Sequence, residues 1–273
     1  MKNFFTNTAF AFLFILIITS CSNEISEDQL VERKGVYYLV NSQTPFTGAS
    51  VSLHPNGNIE GRFNYKDGKL HGIEEYFYED GNLKSRTNYF NGEFNGLTEN
   101  YWENGQLYYK HSYTNGVQTD GLKEIFNKNG SLRRTYFIKN GKYHGARKEF
   151  DVWGDLKKEE NYIDGVLHGL VNIYFDWDDD DVLMLEKPVL KETINFVDGS
   201  EDGLAIMYFV GDSSYSKKET YWKNGKKHGW TIFYDKNGEV DKFNIYCFIE
   251  GEQKFFSEET LCNTVNSEIQ FKN

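Results

Sequence analysis

Asp67-Gly68-Lys69-Leu70-His71-Gly72-Ile73-Glu74-Glu75-Tyr76-Phe77-Tyr78-Glu79-Asp80-Gly81 decides the fold, because its spacing recurs along the chain. Two of its glycines stand four residues apart, a third follows nine later, and Gly92 comes eleven after that. Gly92, Gly96, Gly105 and Gly116 repeat the spacing, as do Gly141, Gly145, Gly154 and Gly165. One glycine of each unit forms a ladder: Gly48, Gly72, Gly96, Gly121, Gly145, Gly169, Gly203 and Gly229, with steps of 24, 24, 25, 24, 24, 34 and 26 residues. A fixed period of this length marks a repeat architecture, in which neighbouring units bury one another's apolar side chains.

The long steps end in Asn-Gly or Asp-Gly pairs, such as Asn56-Gly57, Asp67-Gly68, Asp80-Gly81, Asn91-Gly92, Asn104-Gly105 and Asn115-Gly116. Such pairs supply the positive φ angles of tight hairpins, and the ladder glycines are assigned to turns as well. Two turns per period imply two strands per unit. One residue past each ladder glycine stand Ala49, Ile73, Leu97, Leu122, Ala146, Leu170, Leu204 and Trp230; five past stand Leu53, Phe77, Tyr101, Phe126, Phe150, Tyr174, Tyr208 and Tyr234. The second strand carries Ile59, Leu83, Leu107, Leu132, Leu156 and Val240, then Tyr65, Tyr89, Tyr113, Ile138, Tyr162 and Tyr246. These offsets keep parity, so the rows are expected to share one apolar face. A turn every ten or so residues leaves no room for a helix. The expected fold is all-β: an elongated antiparallel meander of about sixteen strands in stacked hairpins, about 24 residues per repeat.

Units such as Asp67-Gly68-Lys69-Leu70-His71-Gly72 followed by Tyr76-Phe77-Tyr78-Glu79-Asp80-Gly81 resemble the variant MORN repeat, in an arrangement similar to the bacterial YwqK-type antitoxin family. Tyr37-Tyr38 and Pro45-Phe46-Thr47-Gly48 resemble the opening unit of such lipoproteins. The resemblance covers roughly residues 36–251. It implies a protein-binding surface that masks a toxin, although repeat scaffolds host unrelated jobs.

The N-terminus has a basic Lys2, an apolar run from Ala9 to Ile18, and Ile18-Thr19-Ser20-Cys21. These are traits of a signal peptide, too short to span a bilayer, which takes roughly twenty apolar residues. Cys21 at this boundary resembles a lipobox, which implies cleavage after residue 20 and lipidation of Cys21; the alternative is an ordinary secretory signal with an incidental Cys. Ser22 is similar to lipoproteins sent to an outer membrane, so a bacterial envelope location is expected, outer membrane favoured, on its periplasmic or surface face. Residues 21–35 read as a lipidated Cys and polar tether, 36–251 as the array, and 252–273 as a C-terminal cap. Cys247 and Cys262 either close a disulfide that staples the cap or remain as two buried thiols.

A net charge of -11 makes nucleic acid and anionic headgroups poor partners; the membrane contact expected is the lipid anchor alone. His71, His144, His168 and His228 each precede a ladder glycine. Two-stranded units advance about 9.5 Å, so neighbouring histidines cannot both reach one zinc ion at about 2.0 Å. They read as turn residues, with no metal or cofactor implied. Asp176, Asp178, Asp179, Asp180 and Asp181 suggest calcium, but Asp181 and Lys187 stand where that loop needs Gly and Glu. The run is better read as a solvated hairpin-end insertion, about 176–192, and Asp178–Asp181 as a partner contact. Glu75, Glu99 and Glu124 recur with the repeat, and a periodic chain offers few unique preorganised sites, so no enzyme is expected. Trp102 and Trp222 are candidate exposed contacts. The expected function is noncatalytic protein binding at the envelope, with an antitoxin role implied by the resemblance. The alternatives are a structural or adhesive scaffold and a glycan-binding lipoprotein.

Overall fold

The computed structural model describes residues 24–176, 188–211 and 213–254. An N-terminal segment contains β1 (Ile25–Ser26), a 3-10 turn (Glu27–Gln29), β2 (Leu30–Arg33) and β3 (Val36–Leu39). The array begins with β4 (Gly48–Leu53), β5 (Ile59–Lys66), β6 (Lys69–Leu70), β7 (Gly72–Phe77), β8 (Leu83–Phe90) and β9 (Glu93–Tyr101). It continues through β10 (Leu107–Thr114), β11 (Val117–Gln118), β12 (Gly121–Phe126), β13 (Leu132–Lys139), β14 (Lys142–Phe150), β15 (Leu156–Ile163), β16 (Val166–Leu167) and β17 (Gly169–Tyr174). The last strands are β18 (Leu190–Val197), β19 (Ser200–Tyr208), β20 (Tyr215–Lys223), β21 (Lys226–Asp235), β22 (Val240–Ile249) and β23 (Glu252–Lys254). Sixteen of these strands have six residues or more. From β4 to β23 each long strand pairs antiparallel with the next, giving one 21-stranded sheet that also takes in β1. The strong contacts join neighbouring strands, so the array is a single layer.

The two ends of each unit use different turn chemistry. At one end Asp67, Asn91, Asn115, Asn140, Asp164, Asp198 and Asn224 all have φ near +50° and precede a positive-φ glycine. Both central residues in the left-handed region define a type I′ hairpin. At the other end only the glycine is left-handed: Gly57 N–H donates to the His54 carbonyl at 2.9 Å, and His54 N–H to the Asn58 carbonyl at 2.8 Å. Asn56 and Asp80 instead use their side chains, accepting from the backbone of Asn58 and Asn82 at 2.9 Å. The ladder glycines are in neither turn, which corrects their assignment. They sit in strands where the register slips by two residues: Tyr89 pairs with Phe94 but Thr87 with Thr98, across Gly96. They are bulge glycines, the places where the chain takes up slack between units.

Register also divides the expected core. Gly48 pairs with Tyr65 and Ser50 with Phe63, whereas Ala49 pairs with Asn64. The tyrosine row therefore lies on one face and the Ala49, Ile73, Leu97, Leu122 row on the other. The single shared face is a misreading, and its cause is a second bulge: a register shift between Ser52 and Leu53 reverses parity within the hairpin. It recurs at Tyr76/Phe77, Ile125/Phe126, Glu149/Phe150 and Ile173/Tyr174. On the leucine face Ile73, Leu97, Leu122 and Leu170 are 38–61% exposed. The buried row is on the tyrosine face, two residues past the ladder glycines: Ser50, Thr98, Lys123, Val171, Ala205 and Thr231. It meets Phe63, His111, Tyr136, Ile194, Thr220 and Tyr246 across the strands.

Residues 25–33 are not a tether. Ile25 and Ser26 pair parallel with Ser50 and Val51, and β2–β3 forms a hairpin against the first unit. Tyr37 stacks on Tyr65 with ring centroids 5.0 Å apart, and Tyr37 N–H donates to the Gly68 carbonyl at 2.8 Å. Apolar Ile25, Leu30 and Val31 cover an edge strand that would otherwise present unpaired backbone groups. The insertion is also narrower than expected: Tyr174 pairs with Leu190 and Ile173 with Glu192, so residues 190–192 belong to β18. At the far end the ladder extends beyond residue 251, with Phe248 pairing with Gln253.

Candidate binding surface

The unit-to-unit joints account for most residues that looked functional. His168 Nδ1 accepts from Asp198 N–H at 3.5 Å and His228 Nδ1 from Glu250 N–H at 3.4 Å. Asp120 does the same for Asn140 N–H at 2.8 Å, and Thr47 for Asp67 N–H at 2.9 Å. The position before each ladder glycine thus holds an acceptor that braces the next unit's turn. That explains His, Asp and Thr interchanging there. Among the described residues no group of three or more His, Cys, Asp or Glu could hold a metal ion.

Trp102 is another joint. Its indole N–H donates to the Phe126 carbonyl at 3.1 Å, its ring lies 4.4 Å from Tyr108, and Lys128 sits 5.5 Å above it. Its half-burial corrects the reading of Trp102 as an exposed contact. Tyr78 mirrors it, donating to the Tyr101 carbonyl at 2.8 Å. Trp222 is half-buried on the tyrosine face, opposite Gly203 and Lys227. Glu75 is held by Arg86 at 2.8 Å on the leucine face. Cys247 is 5% exposed on β22, opposite Trp230, and is disulfide-bonded. Cys262, Cys21 and Asp178–Asp181 lie outside the described residues.

Two features went unread in the sequence. The first is Trp153, 76% exposed at a far-end turn. It borders an open groove of about 420 Å³ with Asn127, Arg133, Lys157 and Asp176. Its signal was available: it occupies the place before Gly154 that the other far-end turns give to Asn or Asp. The second is a charged block in the middle of the tyrosine face. Successive strands β12 to β15 place Lys123, Tyr136, Arg147 and Glu160 in one row and Ile125, Arg134, Glu149 and Lys158 in the next. Arg147 reaches Glu160 and Glu149 at 2.5 Å each, Lys158 reaches Glu160 at 2.6 Å, and Arg134 reaches Glu149 at 2.8 Å.

Burial tilts the charges of this face. It pushes the Glu160 carboxyl up, yet Lys158, Arg147 and Tyr162 together hold it below its ordinary value. Burial draws Lys123 down, against the opposing pull of Asp120. The Lys123 ammonium donates to the Thr119 carbonyl at 2.6 Å, although the residue is only 4% exposed. His111 is lowered by burial and by the neighbouring Lys123 charge. Glu74 is raised by burial, offset in part by the Tyr89 hydroxyl. The cover over these groups is one side chain thick, so their desolvation is modest compared with that of a deep core.

A family model described as MORN repeat variant matches residues 70–91 and 94–115, the two units spanning β6 to β10. No curated protein matches the chain. Among solved structures, a mutant of S. aureus TarM, crystallised with fondaparinux, α-GlcNAc-glycerol and UDP, aligns at 15% identity. That alignment covers 42% of this chain and 21% of the other, with a TM-score of 0.23. The chain thus spans about a fifth of that protein's length, and a superposition this poor carries nothing about fold or activity.

Proposed function

We propose that this protein is a noncatalytic binding scaffold of the cell envelope that captures a protein partner on its sheet faces. The observation that carries the reading is the single-layer array: sixteen long strands leave both faces without a second layer. Rigid stacked hairpins present a broad surface already ordered, so binding forfeits little conformational entropy. The exposed row of Ile73, Leu97, Leu122 and Leu170 adds a contiguous apolar strip, a feature typical of interaction surfaces.

Within that reading, lipidation at Cys21 would hold the array at a membrane, the outer one favoured, by a durable anchor, since each buried CH₂ contributes about 0.8 kcal/mol. A Cys247–Cys262 bridge would staple the C-terminal end. The narrower role, suggested by the resemblance to YwqK-type proteins, is immunity against a toxin. The test is capture by the untethered protein from its own envelope, with cross-linking. One stoichiometric protein partner is the expected result, and none over repeated captures sinks the reading. For the immunity role, co-expression with a toxin encoded beside it is expected to rescue growth; continued killing excludes it. A second reading, a glycan platform, is favoured by Trp153 alone, since an exposed indole beside polar groups suits a sugar ring. Retention on cell-wall glycan that is lost in Trp153→Ala would support that alternative.

A further inference from the structure

We propose that the middle of the tyrosine face, on strands β12–β15, docks a short acidic segment of the partner protein. The proposal rests on the protein-binding reading and adds the face and the chemistry. Across these four strands the face carries Lys123, Arg134, Arg147 and Lys158 against Glu149 and Glu160, four cations less two carboxylates, a local +2. The whole chain is at -11, so everything outside the block sums to -11 - 2 = -13. A cationic island in an acidic surface attracts anionic groups to one place and repels them elsewhere.

The block also has more donors than acceptors. The Nε atoms of Arg134 and Arg147 have no acceptor, and no carboxylate lies within 4.0 Å of the Lys123 ammonium among the described residues. At the same offset in other units stand Ser50, Thr98 and Thr231, which carry no charge. The cations are therefore not demanded by the repeat. Their side chains remain partly open, Arg134 at 32% and Lys158 at 36%, so incoming carboxylates can reach them.

Size decides between a bounded acidic segment and a long polyanion. Four strands at 4.7–4.9 Å spacing make a block about 14 Å wide, and two rows add about 7 Å along the strands. A few acidic residues cover that area. A continuous polyanion would run onto the acidic remainder, and Glu149 and Glu160 inside the block would oppose it further.

The test uses the full-length protein and fluorescent probes at low salt: a dodecapeptide of alternating Glu and Tyr, its Gln/Tyr counterpart, and a sulfated hexasaccharide. Anisotropy is expected to show binding of the acidic peptide, weakening with added salt, and an affinity about tenfold lower in the double variant Arg134→Gln, Lys158→Gln. The control Lys110→Gln, Lys148→Gln removes the same charge from the leucine face and is expected to bind like wild type. Equal loss in both double variants, equal binding of the Gln peptide, binding of the hexasaccharide alone, or no binding at all overturns the proposal. Thermal melts of both variants keep a folding defect from passing as a binding one, and Lys123→Met replaces any variant that melts early. Envelope capture separates this site from the broader reading. A partner held equally by wild type and by the Arg134→Gln, Lys158→Gln protein refutes the site and keeps the scaffold. Peptide binding with no envelope partner does the reverse.

Discussion

Gly96 has φ +110°, and a Cβ there would lie 3.1 Å from the Asn88 Cβ. Both strain and contact oppose any other residue, so Gly96→Ala is expected to cost about 1–3 kcal/mol, read from the urea midpoint. A shift within error would mean that the bulge relaxes freely. Glu74 makes the opposite kind of prediction. Burial holds its carboxyl above the ordinary value of 4.5, with a smaller contribution from the Glu27 charge. A group whose folded pKa is raised contributes stability below its unfolded pKa and loses it as pH rises through the folded one. Glu74→Gln keeps an acceptor for Tyr89 but cannot ionise. It is expected to match wild type near pH 4 and to be the more stable protein at pH 7, by urea titration at both. Equal midpoints at pH 7 would show that the Glu74 charge is well solvated.

At the scale of the element, the unit is a hairpin pair braced by side chains that reach the next turn. Asp120→Ala removes the acceptor for Asn140 N–H and is expected to cost about 0.5–1.5 kcal/mol. Hydrogen exchange at Asn140 should quicken while amides of β4–β5 stay protected; uniform quickening would mean the brace is not local. The far turns are tied in the same way, with Asn104 donating to the Lys128 carbonyl at 2.6 Å and Asn129 to the Val152 carbonyl at 2.9 Å. Strand number, hairpin count and the I′ turns at Asp67-Gly68 and its equivalents were legible in the sequence, because local backbone preference dictates them. The assignment of Leu97 and Leu122 to a core was not. A bulge inverts the parity of everything after it, and no residue type announces one. Trp102 illustrates the same limit at the candidate site, since only packing shows its indole turned to the Phe126 carbonyl.

For the whole molecule, nearest-neighbour contact sets the behaviour. Stability in such arrays is close to a sum over units and their interfaces. Deleting one full period, residues 72–95, is therefore expected to leave a folded monomer with a modestly lower melting temperature. Removing residues 24–46 instead uncovers Phe63 and Tyr65, which are 5% exposed, and frees the edge of β4. That truncation is expected to self-associate, by size-exclusion chromatography with light scattering. A monomeric truncation would show that the N-terminal hairpin is not a cap.

The glycine period by itself determined that this chain is a meander of two-stranded units, since hairpin turns need backbone angles that few residues other than Gly, Asn and Asp accept. Only the tertiary structure decided which side chains face which way, that residues 25–33 close an edge, and that Lys123, Arg134, Arg147 and Lys158 converge. Those facts depend on register, and register is set by pairing between strands and by bulges spread over whole units, which no local window contains.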